Sequence, residues 1–269
     1  MDPTRLDRRF GREAFGADPA NYHAARPPYP EAAWAALRAR AGLSPGIDIL
    51  EIGAGTGLAT GALLRARPAR LVAVEPDARL AAFLRATTGD PRLEILAMPF
   101  EAAELAPASF DLVVSATAFH WLEPVPALKT IRGLLRPGGA VALLWNVFGD
   151  PGRPDPFHAA TRQLFAATRP SPSSGSDGRP EHGLDAEARR ADFVAAGFVA
   201  DPPQAIAWSL VLDPPGVRRL YATFSNVAAL PPSERAALLD GLATIAATGF
   251  GGRVERNMVT AIHIARRDP

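Results

Sequence analysis

The stretch "ILEIGAGTGLATGALL", residues 49–64, opens on an apolar run interrupted only by Glu51, turns at Gly53, Gly55 and Gly57, and continues into an Ala/Leu segment of helical composition. An unbroken apolar strand suits burial on both faces of a parallel sheet. A glycine turn between strand and helix lets a ligand approach backbone that side chains would otherwise block. Glu75 ends the next apolar run, 22 residues after Gly53. An acid at that place can accept both ribose hydroxyls of an adenosine, so strand, turn and acid together predict a nucleoside site. The turn is Gly-x-Gly-x-Gly, whereas a nicotinamide dinucleotide site calls for Gly-x-Gly-x-x-Gly with a diphosphate at the helix N-terminus.

Working outward, "IDILEIG" (47–53), "RLVAVEP" (70–76), "RLEILAM" (92–98), "FDLVVSA" (110–116) and "AVALLWNV" (140–147) alternate with Ala/Leu/Arg-rich helical segments. That rhythm predicts an α/β fold, a doubly wound sheet of mostly parallel strands with its ligand at their carboxyl ends. Beyond Asn146 the rhythm stops. The breaker-rich stretches "GDPGRPDPF" (149–157) and "RPSPSSGSDGRPEHG" (169–183) flank a helical piece, "HAATRQLFAATR" (158–169), read as an inserted helical cap. A helix over 185–196, a strand over 205–212, helices over 215–224 and 232–248 and a last strand within 253–267 follow, the two strands bringing the sheet to seven. The expected division is an N-terminal lid segment (1–30), a nucleoside-binding core (31–148), and a cap insertion with the C-terminal completion of the sheet (149–269).

Composition narrows the function. A chain of 269 residues with 48% hydrophobic content can bury one large core and a modest cap. The net charge is +1, and the 28 arginines among the 29 basic residues are scattered, which argues against nucleic acid as a partner. The absence of cysteine excludes disulfides, thiolate metal sites and a thiol nucleophile. His158, His182 and His263 lack ligand spacing, so no metal is expected. No Gly-x-Ser-x-Gly elbow or pair of acids points to hydrolysis. The charged opening "MDPTRLDRRFGREAF" and the lack of any apolar run of membrane-spanning length predict a cytoplasmic protein without a membrane partner, a monomer or a homodimer.

The segment "NYHAARPPYPEAAW" (21–34) sets Tyr22, Arg26 and Tyr29 beside three prolines. Proline fixes φ and pushes the preceding residue toward extended geometry, so residues 26–30 should form a stiff elbow. Either Pro30 starts the next helix with Tyr29 as a hydrophobic staple, or the elbow aims its side chains at a ligand.

"EIGAGTG" (51–57) resembles the glycine motif of the class I S-adenosylmethionine-dependent methyltransferases, whose sheet is Rossmann-like. Within that family the chain is most similar to the small-molecule group that includes trans-aconitate methyltransferase, through Phe15, Tyr22, Arg26, Pro27, Tyr29 and Pro30, through "SFDLVVSATAFHWLEP" (109–124), "GLLRPGGAVALLWN" (133–146) and "LYATFSNVAALPPSER" (220–235). The resemblance implies S-adenosyl-L-methionine as cofactor and S-adenosyl-L-homocysteine as product. Glu51 and the turn Gly53, Ala54, Gly55, Thr56 and Gly57 would hold the methionine part, and Glu75 the ribose. Phe100 and Glu101 would meet the adenine, and Pro76 and Ser115 complete the cofactor set. Tyr22 and Arg26 would close over the cofactor, the ring facing a sulfonium and the guanidinium a carboxylate. His120 is the candidate proton acceptor, and Tyr29, Trp121, Trp145, Asn146 and Ser225 are the candidate substrate contacts. The expected reaction is methyl transfer to a small-molecule acceptor, through a carboxylate or hydroxyl oxygen. The alternatives are a methyltransferase-like cyclase or regulatory binder, and a nicotinamide-dependent dehydrogenase.

Overall fold

The computed structural model describes residues 5–10, 14–175 and 178–268. The expected N-terminal lid and the Ser-rich part of the cap therefore fall in part, at residues 1–4, 11–13 and 176–177, outside the described residues, as does residue 269. The chain begins with α1 (Pro19–Ala25) and α2 (Glu31–Arg40). The core follows as β1 (Asp48–Ile52), α3 (Thr60–Arg65), β2 (Arg70–Val74), α4 (Ala78–Thr87), β3 (Leu93–Leu96), β4 (Phe110–Ala116), α5 (Pro124–Leu134) and β5 (Leu135–Phe148). It continues through α6 (Pro156–Thr161), α7 (Ala186–Ala195), β6 (Val199–Ala200), β7 (Gln204–Leu212), α8 (Pro214–Tyr221), α9 (Ser225–Ala228), α10 (Pro232–Gly249) and β8 (Val254–Arg266).

The strands form one sheet in the order β3-β2-β1-β4-β5-β8-β6, with β7 also pairing β8. Strands β1 to β5 are parallel, and β8 runs antiparallel to β5, β6 and β7. The count of eight against an expected seven has a local cause. Strands β6 and β7 share one position against β8, and between them lie Pro202 and Pro203, which cannot donate to a ladder.

Alternation along each strand sorts the core into two layers. Leu50, Ile52, Val72, Val113 and Leu143 pack on one face with Leu128 and Ile131 of α5 and Phe193 of α7. Ile49, Leu71, Leu112, Val114 and Leu144 pack on the other with Trp34 and Leu37 of α2 and Leu63 of α3. Burying both faces is what makes these strands read as continuous apolar runs.

A third cluster gathers Phe157, Val217, Tyr221, Leu238, Leu242 and Val254, from α6, α8, α10 and the start of β8. The helix expected over 158–169 is shorter: α6 ends at Thr161 and a 3-10 turn, Arg162–Phe165, continues it. Asp155 caps its start through the His158 amide, and the Thr161 hydroxyl donates back to the Phe157 carbonyl at 2.7 Å, a bond that weakens helical continuation. Among the described residues no helix is long and apolar enough to cross a membrane.

The third cluster is tied to the sheet by Arg256 of β8, which is 2% exposed and donates to Asp155 at 2.8 Å and to the Tyr221 hydroxyl. Removing one member of a buried charged pair leaves the other charge uncompensated. Asp155→Ala should therefore lower unfolding stability by about 3–5 kcal/mol in urea denaturation, and the double variant Asp155→Ala/Arg256→Met should lose less than the single one.

Candidate active site

Parallel strands deliver their carboxyl ends to one edge, and a cavity of about 1090 Å³ including its mouth opens there. Its walls are the glycine turn after β1, Glu75 and Pro76 after β2, Pro99 to Glu101 after β3, Ala116 to Ala118 with Trp121 after β4, and Asn146 with Phe148 at the end of β5. The N-terminal segment closes it with Phe15, Tyr22, Arg26, Pro27 and Tyr29.

The turn is built for close approach. Gly53 has φ +75°, and a Cβ there would come within 2.3 Å of the Ala118 Cβ, so only glycine fits. Gly55, at φ +58°, has nothing within 4 Å of where its Cβ would be, which leaves a recess against bare backbone. The Gly55 amide donates to Glu75 at 2.7 Å, and the Asp77 amide reaches the other Glu75 oxygen at 2.9 Å. Glu51 shares the strand face that meets α3 and accepts from the Thr60 hydroxyl at 2.6 Å. The Thr56 hydroxyl, in the same wall, is buried and has no hydrogen-bond partner among the described residues.

Both carboxyls are strained electrostatically. Burial pushes Glu51 up to about 8, against the opposing effect of the Thr60 bond and with the added repulsion of Glu75. Burial likewise pushes Glu75 up to about 7, although the Asp77 and Gly55 amides favour its charge.

Another part of the wall carries a cation. Arg26 donates to the Thr223 carbonyl at 2.8 Å, and its guanidinium carbon lies 5.3, 5.7 and 4.8 Å from the ring centres of Tyr22, Phe148 and Phe224. Its Nε is buried without a hydrogen-bond partner, and among the described residues it has no carboxylate partner. Tyr29 combines the two roles considered for it. Its ring packs edge-on against Trp34 at 5.8 Å, as a staple would, while its hydroxyl meets the Thr117 hydroxyl in the cavity wall. Burial raises its phenol above the ordinary range.

Tyr22, Arg26, Tyr29, Glu51, Gly53, Ala54, Gly55, Thr56, Glu75, Pro76, Phe100, Glu101, Trp121 and Asn146 all line the cavity. Five candidate residues do not. Gly57 faces Leu84, and a Cβ would meet that side chain at 2.4 Å. The Ser115 hydroxyl is spent inside the sheet on the Ile52 carbonyl at 3.0 Å. Ser225 is buried at the start of α9. Trp145 is a core residue and donates its Nε1–H to His120 Nδ1 at 3.2 Å. His120 thus lies behind Trp121 rather than beside an acceptor, and burial pulls it down to about 3, which makes it a poor proton acceptor. His182 and His263 stand 5.4 and 5.8 Å from the same Trp145 ring.

Thr117 and Phe148 also line the cavity, outside the expected set of site residues. Each lies at the carboxyl end of its strand, the position where open α/β sheets place ligand contacts. Thr117 also has φ +55°, costly for a β-branched residue, and that geometry turns its hydroxyl toward Tyr29.

Comparison with known proteins agrees with this geometry. Residues 50–143 match the methyltransferase domain family. An uncharacterized methyltransferase of Schizosaccharomyces pombe is 26% identical over 95% of this chain and 97% of its own length. An uncharacterized methyltransferase of Mycobacterium tuberculosis is 35% identical over 49% of this chain, which spans about half, 52%, of that relative. A solved structure from Anaeromyxobacter dehalogenans, assigned provisionally to the type II methyltransferases, superposes with a TM-score of 0.60 at 25% identity, over 90% of this chain and 97% of its own.

The buried titratable groups predict a pH profile. The folded carboxyls of Glu51 and Glu75 hold protons up to about 8 and 7, above the 4.5 of an unfolded glutamate, so their stabilising effect is complete below 4.5 and is lost as pH rises through 7 and 8. His120, His182 and His263 are lowered from 6.5, so theirs is complete above 6.5 and is lost on acidification. Between pH 4.5 and 6.5 the two sets oppose each other, and above 6.5 only the carboxyls still titrate. Thermal melts from pH 4 to 9 should show maximal stability of the ligand-free protein near pH 6.5 and a decline by pH 8.5. Glu51→Gln should flatten the alkaline limb.

The glycine turn with Glu75, the sheet order and the matched domain converge on one assignment: residues 50–143 carry a methyltransferase domain of the class I, S-adenosylmethionine-dependent kind.

Proposed function

We propose that the cavity transfers the methyl group of S-adenosylmethionine to an oxygen, a carboxylate before a hydroxyl, of a small-molecule acceptor. The observation that carries this reading is the pairing of its two walls. One wall offers the glycine recess, the unpartnered Thr56 hydroxyl and Glu75; the other offers Arg26 without an acidic partner among the described residues, boxed by rings. The first wall fits the cofactor. In this assignment Glu75 accepts the ribose hydroxyls, Glu51 and the turn take the methionine part, Pro76, Phe100 and Glu101 flank the adenine, and Tyr22 covers the donor.

When bound, the cofactor supplies a methyl already activated by its positive sulfur. The protein's own task is then to align the acceptor and exclude water. Among the described residues no histidine or lysine lines the cavity, and its carboxyls, Glu51, Glu75 and Glu101, are taken by the cofactor in this assignment, which leaves no base for an acceptor that must lose a proton. A carboxylate needs none, and Arg26 can hold it by charge-assisted hydrogen bonds. Trp121, Asn146, Tyr29 and Phe148 supply the remaining acceptor wall in this reading. The resemblance to the trans-aconitate group points to the same chemistry.

Transfer of labelled methyl from the cofactor to a panel of small carboxylic acids, hydroxylated metabolites, RNA and protein tests the proposal. Label should enter the acids as a methyl ester, from which mild base releases it as methanol. Exclusive labelling of RNA or protein would overturn it. Glu75→Gln should weaken S-adenosylhomocysteine in calorimetry by about ten- to a hundredfold, the loss of charged hydrogen bonds. Arg26→Ala should depress turnover on the acid far more than it weakens the cofactor product.

A further inference from the structure

The elbow that carries Arg26 and Tyr29 has an unusual hydrogen-bonding character. Pro27, Pro28 and Pro30 have no amide hydrogen, so this backbone presents carbonyl acceptors and almost no donors. It has few donors with which to pair with a strand, so the ties that place it come from groups that donate to it.

Asn146, at the end of β5, does so. Its side-chain nitrogen donates to the Pro27 carbonyl at 3.2 Å and to the Pro28 carbonyl at 3.3 Å. Its side-chain oxygen accepts from the Thr260 hydroxyl at 2.7 Å, and Thr260 in turn accepts from the Trp208 indole N–H at 2.9 Å. The direction of this chain is fixed at both ends, because an indole N–H can only donate and a proline carbonyl can only accept. Thr260 must therefore donate to Asn146, and the Asn146 amide is held in one orientation. Thr260 is fully buried on β8 and Trp208 lies on β7; neither lines the cavity.

We propose that Thr260 and Trp208 are positioning residues for the cofactor site: through Asn146 they latch the proline elbow, and with it Arg26 and Tyr29, across the cavity mouth. A second tie runs in parallel. The backbone N–H of Asn146 donates to the Thr117 hydroxyl at 3.4 Å, and that hydroxyl meets the Tyr29 hydroxyl. The latch joins the antiparallel pair of β7 and β8 to a segment more than a hundred residues earlier in sequence. It rests on the cofactor occupying this cavity.

The test is the affinity and kinetics of S-adenosylhomocysteine with the full chain, which needs no acceptor. Thr260→Val keeps the shape and removes the donor. It should weaken binding roughly fivefold, the loss of about one hydrogen bond, with the change carried by a faster dissociation rate. Trp208→Phe should weaken it in the same manner but less, and Thr260→Ser, which keeps the hydroxyl, should restore near-wild-type dissociation. Ile131→Val, a core change beneath α5, reports general destabilisation and should leave dissociation unchanged at a similar loss of Tm. Wild-type dissociation in Thr260→Val, no rescue by serine, or an equal effect of Ile131→Val would overturn the latch while leaving the cofactor site intact. A wild-type protein that takes up no S-adenosylhomocysteine would overturn the site itself and the latch with it.

Discussion

Parallel pairing of β1 with both of its neighbours is the constraint on which the site depends. Leu50 stands opposite Val72 of β2 and Val113 of β4, and the same sense of pairing continues out to β3 and β5. Strands that all run one way place all their carboxyl ends, and every loop that follows one, on a single edge. The glycine turn, Glu75, Phe100, Thr117 and Asn146 come from five different loops or strand ends yet face one cavity for this reason alone. The antiparallel β8 adds something the parallel strands cannot. It begins beside the end of β5, with Met258 opposite Phe148, and so brings Thr260 next to Asn146 at the same edge.

That edge is also where the protein departs from the apolar logic of its core. Buried polar side chains elsewhere, such as Arg256 and Thr260, are matched by hydrogen bonds, whereas the cavity wall buries two carboxyls and also a hydroxyl, that of Thr56, with no hydrogen-bond partner among the described residues. Taking a charge out of water is costly, and the upward displacement of Glu51 and Glu75 is the visible form of that cost. A chain selected for stability alone would place apolar side chains there. Local rules broken together in one place are the mark of a ligand site, because the missing partners are supplied when the ligand arrives.

The parts of the site readable in the sequence are those whose physics is local. Strand, glycine turn and helix are contiguous, and Glu75 follows at one βα unit's distance, so spacing alone carries them. The sheet was legible for the same reason, since burial on both faces leaves a continuous apolar signature. His120 was not. Its neighbour in sequence, Trp121, reaches the cavity, but His120 turns inward to accept from Trp145, a partner 25 residues on, and no local pattern encodes that choice. Thr117 was missed because a threonine after a strand is ordinary in composition; what sets it apart is a positive φ, which only three-dimensional structure reveals. The prolines at 202 and 203 show the intermediate case. They fix where the seventh strand position breaks, yet only the register against β8 shows that the pieces on either side belong to one position.

The proline elbow shows how a segment with little local hydrogen bonding becomes well placed. Proline limits the conformations open to the unfolded chain, so ordering the elbow costs less entropy than ordering an equal length of other residues. It leaves the folded segment dependent on donors from elsewhere, and these come from separate parts of the chain. Asn146 donates from β5 and Thr117 ties Tyr29 to the end of β4, while Arg26 of the elbow itself donates to the Thr223 carbonyl between α8 and α9. Because each tie comes from a different element, the elbow's place across the cavity rests on the core sheet, the paired strands β7 and β8 and the α8–α9 connection together. Closure of the site is for that reason a property of the whole chain, although the glycine turn that first betrays the site occupies only a few residues of it.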